Sequence, residues 1–139
     1  MDIVDAATRS RMMSGIRSKN TRPEILVRRH IHSLGFRFRL STKIFKISPD
    51  IVLPKFKTAV FVHGCFWHRH DGCALSSKPK SNEHFWNEKF VKNVARDKSV
   101  HSLLTSHGWR VEVIWECRVR SGEYVRDLNL LASDLKSLA

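Results

Sequence analysis

Every cysteine of this chain belongs to one pattern. Cys65, His70 and Cys73 form a Cys-x4-His-x2-Cys cluster, and the third cysteine, Cys117, follows much later at the end of an apolar stretch. An odd number of cysteines speaks against a closed disulfide framework and for thiols or metal ligation. Three sulfurs and one imidazole match the donor set of a tetrahedral Zn2+ site of the structural kind, with no position left open. Three buried reduced thiols are the plainer alternative, because the spacing belongs to no standard finger.

The elements around this cluster read as α/β. Thr21-Arg22-Pro23-Glu24 has capping-box spacing and opens a helix whose apolar face is Ile25, Leu26, Val27, Ile31 and Leu34, with Gly35 as its stop. Phe36 to Leu40 alternates apolar and basic residues and reads as a strand with one wet face. Pro49–Leu53 and Thr58–Val62 read as two further strands, the second apolar throughout and therefore central. Ser81–His107 is helical in pattern, with Trp86, Phe90, Val94 and Leu104 inward and Gly108 as a stop. Arg110–Trp115 is a strand that runs on through Glu116 to Cys117, and Tyr124–Leu138 is a closing helix with Leu128, Leu131, Leu135 and Leu138 on one stripe. The expected architecture is a three-layer α/β sandwich around a mixed sheet. At 139 residues the chain suits a single domain over residues 21–139, preceded by a basic arm over residues 1–20.

Charge narrows the partner. Lys and Arg number 25 against 13 Asp and Glu, a net +12 that implies a polyanion. The excess is +7 in residues 1–50, +5 in residues 51–100 and zero beyond, so the polyanion is expected on the first two thirds. Nucleic acid is the first candidate. The longest uninterrupted apolar stretch, Ala59–Val62, is far too short to span a bilayer. The opening residues also lack the apolar core of a signal peptide, so a cytoplasmic protein without a membrane partner is expected.

The chemistry concentrates after the central strand, in His63-Gly64-Cys65-Phe66-Trp67-His68-Arg69-His70. Zinc needs one imidazole, which leaves His63 and His68 for acid–base work near neutral pH, or as polar surface residues on a loop. Asp50 stands just before a strand, where a hairpin with the next strand brings it near Val62–His68 and lets it hold Mg2+. Glu24 is explained by the capping box and also lies within range of that place. Phe66 and Trp67 are costly in an exposed loop unless they pack or bind, and apolar wedges are one way to open a duplex. Trp86 either joins them or packs in the core. Lys89, Lys92, Arg96 and Lys98 suit phosphate contact or a solvated helix face.

Phe61-Val62-His63-Gly64-Cys65-Phe66-Trp67-His68 resembles the hallmark of the very short patch repair (Vsr) endonucleases. Ala7-Thr8-Arg9-Ser10 with Met13, Thr21 to Glu24, Pro49-Asp50, Phe85-Trp86 with Lys89 and Asn93, Gly108-Trp109-Arg110-Val111 and Trp115-Glu116-Cys117 match the family in order. The resemblance implies a restriction-endonuclease-like nuclease fold. It also implies Mg2+-dependent nicking of duplex DNA 5′ to the thymine of a T·G mismatch. Such mispairs arise from deaminated 5-methylcytosine, so it implies a functional link to a cytosine-5 DNA methyltransferase in the bacterial nucleoid. Carried over, Asp50 and the main-chain carbonyl of Val62 would bind Mg2+, with two ions in all. Glu24 would order metal-bound water, and His68 assisted by His63 would handle the proton of the attacking water. Cys65, His70, Cys73 and Cys117 would hold a structural Zn2+. Phe66, Trp67 and Trp86 would wedge beside the mismatch, with Lys89 and Asn93 on the DNA and the arm carrying Arg9 and Met13 in the minor groove.

The chain departs from the family pattern between His68 and Cys73. It reads Arg69-His70-Asp71-Gly72 in place of a run of histidines, one residue longer, which leaves His68 as the other choice of zinc ligand. A restriction-type or structure-specific nickase of the same fold, and a zinc-stabilised DNA-binding protein without catalysis, remain the competing readings. A single off-centre mismatch needs no two-fold partner, so a monomer is expected.

Overall fold

A computed structural model describes residues 21–70, 72–76 and 81–138. The basic arm with Arg9 and Met13, and Asp71 in the cysteine loop, lie outside the described residues.

Helix α1 (Arg22–Ser33) starts where the sequence places it: Thr21 is the N-cap and its Oγ1 accepts from the Glu24 N–H at 3.5 Å. Leu34 closes the helix and Gly35 turns the chain at φ +89°, a conformation only glycine adopts without strain. Strand β1 (Ile51–Leu53) pairs antiparallel with β2 (Thr58–His63) through the register Ile51↔Val60 and Leu53↔Thr58. A single 3-10 turn, Pro54–Phe56, and a left-handed Lys57 join them. Strand β3 (Arg110–Trp115) lies parallel to β2 from Thr58↔Arg110 to His63↔Trp115. The sheet order is β1-β2-β3. The parallel pair needs a crossover, which the long helix α2 (Glu83–Ser106) supplies. Two helices follow: the short α3 (Glu116–Ser121) and α4 (Tyr124–Ser137).

Period-two alternation gives this sheet two buried faces. Ile51, Leu53, Val60 and Ile114 pack with Val27 and Ile31 of α1, Val119 of α3 and Leu128, Leu131 and Leu135 of α4. Val52, Ala59 and Phe61 face the other way, against Leu104 of α2. The result is a three-stranded mixed sheet between helices, with apolar β2 central and buried on both sides. Among the described residues no helix is long and apolar enough to cross a membrane.

Three expectations need correction. Phe36–Leu40 is not a sheet strand: only Arg39 bridges, exchanging backbone hydrogen bonds of 2.8 and 3.0 Å with Val52. Its alternation is real, with Phe36 buried and Arg37 and Arg39 exposed, but β1 is three residues long and offers no further ladder. Cys117 does not end a strand. β3 stops at Trp115 and Cys117 sits in the first turn of α3, where it turns back toward the β2 end. Leu138 is not on the buried stripe either, because α4 ends at Ser137 and the side chain beyond it is 74% exposed.

Candidate active site and metal centre

The ends of β2 and the start of β1 face one cleft of about 1280 Å³, bordered by α1 on one side and α2 on the other. Antiparallel pairing brings Asp50, one residue before β1, beside the end of β2, and its Oδ2 accepts the Val62 N–H at 2.7 Å. The Glu24 carboxyl, on the first turn of α1, reaches the same carboxyl, and Arg28 lies 3.8 Å from Glu24. Burial is the main force on Asp50 and lifts its pKa from 3.8 to about 7; the Val62 N–H opposes this and Glu24 adds to it. Two adjacent carboxyls and a nearby main chain form a hard-oxygen donor set, the kind that Mg2+ takes. A cation between them would offset the desolvation and repulsion that now oppose ionisation.

Across the cleft the imidazoles are ordered. His68 Nδ1 lies 2.7 Å from Oδ2 of Asp97, a residue of α2. With Nδ1–H donated to that carboxylate, His68 Nε2 is left as the proton acceptor. His63 lies beneath His68, the rings 3.8 Å apart and 4° from parallel. His63 is only 5% exposed, and burial together with the neighbouring His68 and His101 pulls its pKa down to about 3. It therefore stays neutral.

The cysteine cluster closes on the far side of the same loop. Ligand atoms of Cys65, His70, Cys73 and Cys117 all lie within 4.8 Å of one another. His70 Nδ1 is 3.6 Å from the Cys65 sulfur and 3.4 Å from that of Cys117. A tetrahedron with Zn–S of about 2.3 Å and Zn–N of about 2.0–2.1 Å has an S···N edge of about 3.5 Å, so the group is compatible with zinc. Burial pushes the Cys65 thiol up to about 12, whereas the Leu75 backbone N–H holds Cys73 below its ordinary value. Three crowded sulfurs ionise together only against a cation. The loop is further held by Ser76 Oγ donating to the Cys65 carbonyl at 2.5 Å, and His70 stacks on Trp115 at 4.2 Å. Of the two histidines left open above, His70 faces the sulfurs and His68 faces Asp97.

An aromatic cluster borders the same cleft through Phe66 and Trp67. Phe66 meets Trp67, Trp86 and Phe90 edge-on at 5.1–5.6 Å, and Trp67 lies 5.6 Å from Trp86. Lys89 lies 5.7 Å from the Trp67 ring. The Asn93 side chain donates to the Trp67 carbonyl at 3.0 Å, so its amide holds the aromatic loop. Phe85, next to Trp86, is 54% exposed.

Two residues at this site escape a reading of the sequence: Asp97 and His101. A signal for them was present. Lys89, Asn93, Asp97 and His101 recur every fourth residue of α2, and all four line the cleft. The apolar positions of the helix and its basic charge mask this polar stripe.

Comparison with known proteins adds the following. The family model described as "DNA mismatch endonuclease Vsr" matches residues 1–75. The "Type II nicking enzyme V.NmeAIP" of Neisseria meningitidis is 44% identical, over 97% of this chain and 96% of its own. The "Type II nicking enzyme V.XorIIP" of Xanthomonas oryzae pv. oryzae is 42% identical, over 99% and 96%. The "DNA mismatch endonuclease Vsr" of Escherichia coli is 38% identical, over 91% of this chain and 80% of its own.

Proposed function

Because the chain belongs to the Vsr family of DNA mismatch endonucleases, we propose that it nicks duplex DNA, with Mg2+, on the 5′ side of the thymine in a T·G mispair. The observation that carries this reading is one cleft with carboxyls on one wall and an oriented imidazole on the other. Asp50 and Glu24 meet beside Val62, and His68 is held by Asp97 at 2.7 Å. The frame around it is then that of a restriction-endonuclease-like fold.

Asp50, with the main-chain carbonyl of Val62, would hold Mg2+, and Glu24 would order water beside it; when bound the ion supplies neutralisation of charge developing on the phosphate. Two such ions fit the two-metal form of an in-line displacement. The chain's own residues divide the remaining work. His68 Nε2 takes the proton of the attacking water, while Asp97 fixes the tautomer and steadies the imidazolium. As the water oxygen bonds to phosphorus, the bond to the leaving oxygen breaks, and that oxygen takes a proton from solvent. Neutral His63 forms the floor under His68.

Recognition falls to Phe66, Trp67 and Trp86, with Phe85 as an exposed neighbour. Unstacking a base step costs about a few kcal/mol and less at a mispair, so a wedge favours a T·G site over matched DNA. Lys89 would hold the DNA backbone, and the arm with Arg9 and Met13 would lie in the minor groove. Cys65, His70, Cys73 and Cys117 would carry one structural Zn2+ that fixes Cys65, and with it the adjoining wedge. A T·G pair is what deaminated 5-methylcytosine leaves opposite guanine, which links the activity to a cytosine-5 methyltransferase.

The test is a nicking assay on duplexes holding one T·G mispair in varied flanks, beside matched duplex and the Asp50→Ala variant. A Mg2+-dependent nick 5′ to the mispaired thymine, lost in Asp50→Ala, supports the reading. Equal cutting of matched duplex moves the protein to a restriction-type nickase. Tight binding without cutting leaves a zinc-stabilised DNA binder.

A further inference from the structure

We propose that His101 is a positioning residue for the acid–base pair, a second near-parallel ring beside His63 that holds His63 flat and thereby His68 in line. The proposal rests on the function proposed above for His68. Its evidence is geometric. The His101 ring lies 5.8 Å from His63 and 11° from parallel, and the His68 ring is stacked on the same His63 at 3.8 Å and 4°. Buried His63 therefore has two imidazole neighbours close to parallel with it. Phe61, from the same strand as His63, closes on His101 at 5.3 Å and holds that ring in turn.

One helix contacts both rings of the pair. Asp97 and His101 stand one turn apart on α2, so the face that grips His68 through a carboxylate meets His63 through a ring. The Nε2 of His101 is buried and has no hydrogen-bond partner among the described residues. The contacts of His101 with the site are those of its ring, with His63 and Phe61. A small tilt of His63 would carry His68 with it, and misplacement of a reacting group by about 1 Å costs on the order of 100-fold in rate.

The test compares His101→Ala, His101→Leu and His101→Phe in the zinc-loaded full chain, with two readouts. One is the ring-proton NMR shifts of His63 and His68, which a fixed parallel stack displaces by ring currents whether or not the protein cuts DNA. The other is the single-turnover nicking rate at saturating DNA, with DNA affinity measured separately. In the Ala variant the displaced shifts should collapse and the rate should fall at least about 10-fold with affinity unchanged. Phe, which restores a flat plate, should recover both, and Leu, which fills the space without stacking, should recover neither. Equal recovery by Leu and Phe, no recovery by Phe, or an unaffected Ala variant overturns the proposal. If the wild type proves not to nick, the function fails while the ring-current readout still decides the stack.

Discussion

Asp50→Asn should make this protein more stable and remove its activity. The carboxyl lies beside Glu24 and largely out of water, which lifts its pKa from 3.8 to about 7. At about 1.4 kcal/mol for each tenfold change in proton affinity, this is about 4 kcal/mol against the ionised form in the fold. Residual solvent at the edge of the cleft reduces it to about 1–3 kcal/mol. The sign follows from proton binding. Between pH 3.8 and 7 the folded state holds a proton that the unfolded state has released, so wild-type stability falls as pH rises through that window and stays low above it. An asparagine accepts the Val62 N–H at the same place, offers its amide to Glu24, and carries no charge to desolvate. By scanning calorimetry in Mg2+-free buffer with zinc retained, Asp50→Asn should melt about 4–10 °C above wild type at pH 8 and no more than about 2 °C above it at pH 4. Added Mg2+ should raise the wild-type midpoint and leave the variant unmoved. A variant that melts below wild type at pH 8, or a difference that does not change with pH, would refute the reasoning.

Three further outcomes follow from the geometry. Asp97→Asn should lower the single-turnover nicking rate by about 10²–10⁴ with DNA affinity retained, because the amide no longer enforces the Nδ1–H tautomer of His68; an undiminished rate removes the pair from the chemistry. Stripping zinc, or Cys65→Ser, should destabilise the fold by at least about 4 kcal/mol, read as a fall in the melting midpoint alongside metal analysis of one Zn2+ per chain. Lys57→Gly should stabilise by about 0.5 kcal/mol in urea melts, since Lys57 sits at φ +47° between β1 and β2 and bonds through backbone groups that glycine keeps, its N–H donating to Pro54 and its carbonyl accepting from Arg110.

Much of the architecture is written in short-range pattern. The Thr21–Glu24 cap, the apolar run at Thr58–Val62 and the spacing of Leu128, Leu131 and Leu135 each act within one element, and each element forms where its pattern predicts. The three cysteines are equally legible as one rare donor set, but the choice between His68 and His70 waits for the fold, which groups His70 with the sulfurs and His68 with Asp97. Position relative to β1 and β2 also marks Asp50. Tertiary structure decides the rest. Phe36–Leu40 has the alternation of a strand but finds no ladder beyond Arg39, because pairing depends on the length of β1 rather than on its own residues. His63 and His68 are alike in the sequence; burial under a second ring leaves one neutral, and a carboxylate from a helix far along the chain orients the other. Asp97 and His101 look like ordinary polar positions of a basic helix until α2 crosses over from β2 to β3 and turns that stripe toward the cleft. Pattern fixes what each residue presents, but proton affinity depends on burial and on the charges a few ångströms away, and only the packed fold brings those together.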